Sequence, residues 1–369
     1  MTTEVQGKVE GTGRTLRNVL VTGGAGFIGG NFIRYLLAQP DFGGRIINYD
    51  KLTYAGNLQS LEDVKAAHGS GPRPRYAFER GDIADGARAR EVLRTYAIDT
   101  VVHFAAESHV DRSISGPAEF IQTNVVGTFT LLEAVREFWG TGGASGGVVF
   151  HHVSTDEVFG SLGPRGAFTE TTAYDPRSPY SASKAASDHL VRAYHHTYGL
   201  PVTMSNCSNN YGPYHFPEKL IPLMIARALA GESLPVYGDG KNVRDWLYVE
   251  DHASAIWTIL RRGRTGESYN VGGANEWENL RLVHTVCELL AEMTNRPKDH
   301  YKKQIAFVAD RPGHDRRYAI DGTKLRTELA WAPGVTFDEG LRRTVRWYLE
   351  HQPWVEAVTS GTYTKETCQ

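Results

Sequence analysis

Short, largely apolar runs alternate with stretches of helical period through the first two hundred residues of the chain. NVLVT at 18–22 predicts a strand and residues 26–38 a helix; RIINYD at 45–50 and YAFERGD at 76–82 predict two more strands, with a helix over 86–96. TVVHFAA at 100–106 predicts a fourth strand and 117–138 its helix. GVVFHHVST at 147–155 predicts a fifth, followed by a helix over 178–198, and PVTMSNC at 201–207 a sixth. Strands and helices alternating in this order predict an α/β fold of Rossmann type, a doubly wound parallel sheet with helices on both faces. Beyond residue 208 Pro and Gly become frequent, and shorter helices are predicted over 218–230, 251–262, 279–293 and 337–351 among short strands. The pattern divides the chain into a loose leader (1–17), a nucleotide-binding domain (18–208) and a smaller C-terminal substrate-binding lobe (mainly 209–369), from which segments can return to the sheet.

Composition narrows the function class. Forty basic against 42 acidic side chains leave a net charge of -2, which gives no electrostatic footing for nucleic acid. No apolar run approaches the ~20 residues of a membrane-spanning helix, and the polar N-terminus lacks the apolar core of a secretory signal. Three scattered cysteines, Cys207, Cys287 and Cys368, suit neither a disulfide framework nor a metal site. The expectation is a cytoplasmic, reduced protein with no membrane partner. His103, His109, His151 and His152 lack carboxylate or thiol partners at metal spacing, which favours structural roles and no metal.

The first strand runs into GGAGFIGG, with Gly23, Gly26 and Gly29 three residues apart. A glycine turn between a strand and a helix lets the backbone reach a pyrophosphate and points the helix N-terminus at it. The plain alternative is a tight strand-to-helix connection. Asp50 ends the second strand some twenty residues on, where a carboxylate accepts from ribose hydroxyls and repels a 2′-phosphate, so NAD is favoured over NADP. Asp82 and Ile83, ending the third strand, are placed for the adenine.

The chemistry concentrates in two stretches. YSASK opens a predicted helix with Tyr180 and Lys184 on one face, where an ammonium would lower the phenol pKa and make Tyr180 a base. STDE closes the fifth strand with Thr155, Asp156 and Glu157. Adjacent acids there are either a solvated turn or an acid and a base. Arg244 and Arg311 are candidate diphosphate clamps, with surface ion pairs as their ordinary alternative.

These stretches resemble the extended short-chain dehydrogenase/reductase superfamily and, within it, the dTDP-glucose 4,6-dehydratases. GGAGFIG, YDKLTYAGN, HFAAESHVDRSI, STDEVFG, YSASKAASD, SNNYGPYHFPEKLIP, VRDWLYVEDH and RPGHDRRYAID carry the likeness from residue 18 to about 350. Two positions depart from it: Phe159 stands where the family usually has tyrosine, and Gly30 where it usually has serine or another small residue. The resemblance implies conversion of dTDP-glucose to dTDP-4-keto-6-deoxyglucose and water, through oxidation, elimination and reduction on a retained NAD. It implies Tyr180 as base at the 4-hydroxyl, Thr155 holding that hydroxyl, Glu157 as base at carbon 5 and Asp156 as acid for the 6-hydroxyl. Phe27, Ile28, Lys51, Leu52, Thr53, Ala105, Ala106, Thr123 and Asn210 match cofactor positions. Asn209, Lys219, Leu220, Pro235, Val236, Tyr237, Asn279, His314 and Asp315 match substrate positions. Ser108 is placed for either the hexose or the nicotinamide side. A homodimer through the helices at 117–138 and 178–198 is a further implication.

Two other readings share much of this pattern. A nucleotide-sugar 4-epimerase uses the same fold, NAD and Tyr–Lys pair but needs no acid and base at carbons 5 and 6. A non-enzymatic dinucleotide-sensing protein predicts a degraded pair, whereas Tyr180 and Lys184 are both intact.

Overall fold

The computed structural model describes residues 13–140, 147–310 and 312–361. Seven parallel strands form its main sheet: β1 (Asn18–Thr22), β2 (Arg45–Asp50), β3 (Tyr76–Arg80), β4 (Thr100–His103), β5 (Val149–Thr155), β6 (Val202–Cys207) and, from far downstream, β10 (Ser268–Val271). Their order across the sheet is β10-β6-β5-β4-β1-β2-β3. The chain winds outward from β1 to β3 and then restarts at β4 on the other side. That reversal opens a crevice at the carboxyl ends of β1 and β4, where ligands bind in such sheets.

The strands are apolar because both sheet faces are covered. Val19, Val21, Ile46, Val102 and Val149 pack against the helix Phe27–Ala38 through Phe32, Ile33 and Leu36. Leu20, Ile47, Val101 and Phe150 pack on the other face against Val92, Leu131, Val135 and Val191. Each such side chain, fully buried, contributes on the order of 1.5–3 kcal/mol.

The smaller lobe is built on short strands from the second half of the chain. β7 (Asn209–Tyr211), β9 (Val243–Tyr248) and β11 (Glu276–Glu278) form one sheet, and β8 (Leu234–Tyr237) pairs with β12 (Ile305–Val308) in another. Tyr211, Ile225, Leu234, Trp246, Leu282, Val286, Leu341 and Val345 build this lobe's separate core.

Two segments beyond residue 208 lie with the main sheet. The helix Val249–Arg262 lays Ala253, Ile256, Trp257 and Leu260 into the core of the main sheet. β10 pairs with β6 as the edge strand, and Leu325 and Leu329 cover it. The leader is also shorter than expected. Leu16 is buried and Arg14 donates to the carbonyls of Leu260 (2.8 Å) and Gly263 (2.6 Å), so the chain is docked before β1 begins. Residues 1–12 of the leader, Cys368 and Arg311 lie outside the described residues.

The long helix expected over 117–138 runs from Pro117 to Trp139 but widens to a π-helix over Ile121–Gly127. There Gly127 lies against Ile83, to which a Cβ would come within 2.7 Å. No described helix is long and apolar enough to cross a membrane.

Candidate active site

At the mouth of β1 the backbone itself forms a cradle. Gly23 turns with φ of +70°, and a Cβ there would lie 2.7 Å from the Ala105 nitrogen. A Cβ on Gly29 would lie 2.4 Å from the Gly23 carbonyl, so the helix starting at Phe27 sits on β1 only because that position is bare. Gly26 is the N-cap and no side chain caps this helix, which leaves its N-terminus for an anion. Gly30, by contrast, is roomy: a Cβ there would have its nearest neighbour at 3.5 Å, so a serine or another small residue would fit as well.

Asp50 closes β2 and is buried. Its oxygens accept from the amides of Ala25 (3.0 Å) and Leu52 (2.8 Å) and keep further lone pairs for a diol. Burial raises its carboxyl while those two amides lower it. Lys51 pairs with Asp82 at 2.7 Å. All the expected cofactor positions line one cleft of about 370 Å³ except Leu52, which turns at φ of +60° and contributes its amide to Asp50. Along the same cleft the buried atoms Asn57 Nδ2, Asp156 Oδ2, Asn209 Oδ1 and His215 Nδ1 lack hydrogen-bond partners. A bare glycine turn, a buried carboxylate and unpartnered polar atoms in one cleft fit a dinucleotide.

The other end of the cleft holds the titratable groups. β5 ends at Thr155, whose hydroxyl accepts from the Glu157 amide (3.2 Å) and so starts the tight turn Asp156–Phe159. Ser178 and Ser181 form a capping box, with Pro179 in the first turn, which begins the next helix and sets Tyr180 against that turn. Asp156 is buried, and burial, Glu157 and Asp245 together push its carboxyl well above the usual carboxylate range. Its neutral form is favoured beside a second carboxylate, the unequal pair that acid–base division requires.

Lys184 and Tyr180 differ from the sequence expectation in one respect. Burial raises the Tyr180 phenol, the Glu157 charge adds to that, and a hydrogen bond with Thr155 lowers it. The Lys184 ammonium is itself lowered by burial and is bound to the Val153 carbonyl at 3.0 Å. The side chains share a helix face as expected, but desolvation outweighs any help the lysine gives the phenolate in this state of the cleft.

Among the expected substrate residues, Ser108, Thr155, Asn209, Lys219 and Leu220 line the cleft; Pro235, Val236, Tyr237, Arg244, Asn279, His314 and Asp315 do not. Val236 points into the small-lobe core, so only its backbone can face a ligand. Tyr237 is 41% exposed, and its hydroxyl reaches Asp111 of the large lobe at 3.5 Å. Arg244 is buried, donates to the carbonyls of Val243 (2.7 Å) and Asp315 (2.9 Å), lies over the Tyr318 ring at 4.2 Å and tempers the Asp156 shift. Asp315 accepts from Tyr318 (2.6 Å), His314 contacts Asp310 (2.6 Å), and the Asn279 amide donates to Asn242 O (2.9 Å). The histidines have ordinary partners too: His103 contacts Thr22 and Thr128, and His151 contacts Thr203 and Ser205.

Sequence reasoning missed Glu107 and Glu218, although both sit inside stretches it quoted. Both line the cleft. Glu107 has its backbone gripped by Asn124 at 2.8 and 3.0 Å, and burial raises its carboxyl. Glu218 accepts from Tyr54 (3.0 Å) and Arg112 (3.1 Å). Phe159 stacks on Phe168 and meets Tyr174 edge-on, each at 5.2 Å, so the absent hydroxyl belongs to an aromatic cluster rather than to the cleft.

The sequence model of a family described as GDP-mannose 4,6 dehydratase matches residues 20–344. The chain is 59% identical to a dTDP-glucose 4,6-dehydratase of Xanthomonas campestris pv. campestris, over 94% of this chain and 97% of the relative. The crystal structure of dTDP-glucose 4,6-dehydratase from Bacillus anthracis in complex with NAD is similar at a TM-score of 0.80 and 46% identity, covering 93% of this chain and 99% of that one. A UDP-glucose 4-epimerase from Thermotoga maritima shares the fold at a TM-score of 0.78 but only 27% identity, over 91% of this chain and 99% of that chain.

Proposed function

The chain belongs to the dTDP-glucose 4,6-dehydratase family, and from that membership we propose how its own residues divide the reaction. The activity is NAD-dependent loss of water from dTDP-glucose, giving dTDP-4-keto-6-deoxyglucose. Tyr180 takes the 4-hydroxyl proton, with Thr155 holding that oxygen and Lys184 supplying positive charge on the same helix face. NAD held by the glycine turn and Asp50 would supply the hydride acceptor for carbon 4, the hydride donor for carbon 6 and a positive charge that favours a phenolate. Glu157 removes the proton on carbon 5, which the new ketone has acidified. Asp156 gives its proton to the departing 6-hydroxyl. Glu157 then returns a proton to carbon 5.

The observation that carries this reading is the buried Asp156 at the end of β5, its carboxyl raised by burial and by Glu157 beside it, in the same cleft as Tyr180. An epimerase has no use for such a pair. Product from dTDP-glucose in heavy water should lose one water and gain one deuterium at carbon 5 by mass spectrometry. A galactose-configured product of unchanged mass would overturn the assignment in favour of epimerisation.

The acid role fixes a pH dependence. Asp156 acts only while protonated, and its carboxyl is raised; dehydration is therefore supported below that raised pKa and lost as pH rises through it. Asp156→Asn removes this titration, and the alkaline fall in kcat assigned to the acid should disappear from a rate already reduced about 100-fold. An unchanged pH profile in Asp156→Asn would place the acid elsewhere.

We further place the nucleotide over Lys219–Leu220 and Pro235–Tyr237, with Arg244 and Asn279 on the diphosphate and nucleotide side. The domain expected at 18–208 carries the cofactor, and the small lobe covers the sugar. The partner assembly we propose is a homodimer, in the cytoplasm. Its support is a set of exposed apolar residues on the helices named for it, including Ile121 (49% exposed), Phe129 (45%) and Tyr198 (50%). Phe129→Asp should convert the dimer to monomer by light scattering, and a monomeric parent protein would refute the assembly.

A further inference from the structure

Tyr180, Lys184 and Asp188 recur four residues apart on one face of the helix Pro179–Tyr198, and only the first two have a role in the reaction above. Asp188 is wholly buried. Its Oδ2 accepts from the hydroxyls of Ser154 (2.8 Å) and Tyr174 (2.9 Å) and from the Asn206 amide (3.5 Å). Its Oδ1 faces His152 Nε2 at 3.1 Å. The same imidazole nitrogen is 3.2 Å from Ser187 Oγ and 3.5 Å from the Lys184 ammonium. Alternate residues of β5, His152 and Ser154, thus meet the carboxylate from across the sheet.

A buried anion on this scale needs a counter-charge. Burial lowers His152 to about 4 and Lys184 adds to that, so the ring is neutral; Asp188 Oδ1 lies 3.1 Å from its Nε2 with no hydrogen-bond partner of its own. Lys184 is then the buried cation of this cluster, also with no exposure worth counting. The charged or titratable groups acting on it are Asp188 from its own helix, His152 from β5, His103 from β4 and Cys207 from the end of β6. Only Asp188 is an anion that stays ionised: burial opposes its charge, but His152, Lys184 and Ser154 outweigh that and lower it.

We infer that Asp188 is a positioning residue for the dehydratase reaction: its buried carboxylate, one turn along the same helix face and gathered with Lys184 around His152 Nε2, keeps the Lys184 ammonium charged and held against the Val153 carbonyl. The inference rests on the functional reading above and adds to it the source of the lysine's charge. Without that anion, a desolvated lysine sheds its proton more readily, and Tyr180 loses the cation on its helix face.

The test is a titration of Lys184 in ¹³C-lysine-labelled full-length protein, its resonance assigned with Lys184→Arg. In Asp188→Asn, Lys184 should deprotonate about one pH unit lower than in the parent, and in an Asp156→Asn background, which lacks the acid's own alkaline fall, the remaining alkaline limb of kcat for dTDP-glucose should move down by the same amount with KM unchanged. Tyr174→Phe keeps the ring against Phe159 and removes one donor from Asp188, leaving the carboxylate a stronger anion. It should move both the resonance and the limb upward by a few tenths of a unit. Should Asp188→Asn fail to fold, Tyr174→Phe decides alone. A Lys184 titration that stays in place or moves down there overturns the inference, as does an unshifted titration in folded Asp188→Asn. If the parent protein does not dehydrate dTDP-glucose, the functional reading fails, and the resonance still reports on Asp188 independently.

Discussion

Glu157→Gln should yield a protein that reduces its NAD on mixing with dTDP-glucose and then stops. Glutamine keeps the shape of the side chain and removes the base, so the proton on carbon 5 stays and no water leaves. A positioned general base contributes on the order of 10²–10⁴ in rate, so product formation should fall about 1,000-fold, or ~4 kcal/mol of transition-state stabilisation. Oxidation at carbon 4 depends on Tyr180 and should survive, visible as the near-ultraviolet absorbance of reduced cofactor in a single turnover. The loss can be assigned to the base because burial continues to favour the neutral form of Asp156. Burial comes first among the causes that raise its carboxyl, and Glu157 comes second, so removing the neighbouring charge relaxes the shift without abolishing it. Turnover near the parent rate in Glu157→Gln would remove this residue from the reaction.

The large lobe was legible because its strands are buried on both faces. A strand of that kind is a continuous apolar word, and β1 and β2 fall at the bounds the sequence predicts, Asn18–Thr22 and Arg45–Asp50. β10 reads SYNV, with no apolar run to announce it, and its place beside β6 depends on pairing rather than on local pattern. The helix Val249–Arg262 shows a related limit. Its apolar face, with Ala253, Ile256, Trp257 and Leu260, declares that a core exists but not which one, and proximity in sequence pointed to the wrong lobe.

The site divides along the same line. Its cofactor half was legible because glycine spacing and Asp50 act locally, one turn and one strand end at a time. Its substrate half depends on how the small lobe is set over the cleft, so Val236 could be matched by motif while its side chain faces the core. The charge balance was legible only in part. The spacing of Tyr180 and Lys184 put both on one face, but spacing carries no measure of desolvation, and burial is the largest influence on each.

That same desolvation makes Tyr180→Phe the sharpest separate test of the oxidation step. The phenol is buried and hydrogen-bonded to Thr155, and its ring meets Phe120 edge-on at 6.3 Å. Phenylalanine keeps the ring contact and loses the hydroxyl, at a stability cost of about 1 kcal/mol that leaves the fold intact. Neither cofactor reduction nor product should appear, with kcat down about 10,000-fold, since nothing else in place takes the 4-hydroxyl proton. NAD affinity should hold within about threefold, because the glycine cradle and Asp50 are untouched. The two variants therefore fail at different points, Tyr180→Phe before the cofactor changes state and Glu157→Gln after it. If Tyr180→Phe still reduced NAD at a comparable rate, the proton would have to leave through another group, and Glu157, whose charge acts on the phenol, is the candidate. In that event the carboxylate serves both proton transfers and the tyrosine only orients the sugar.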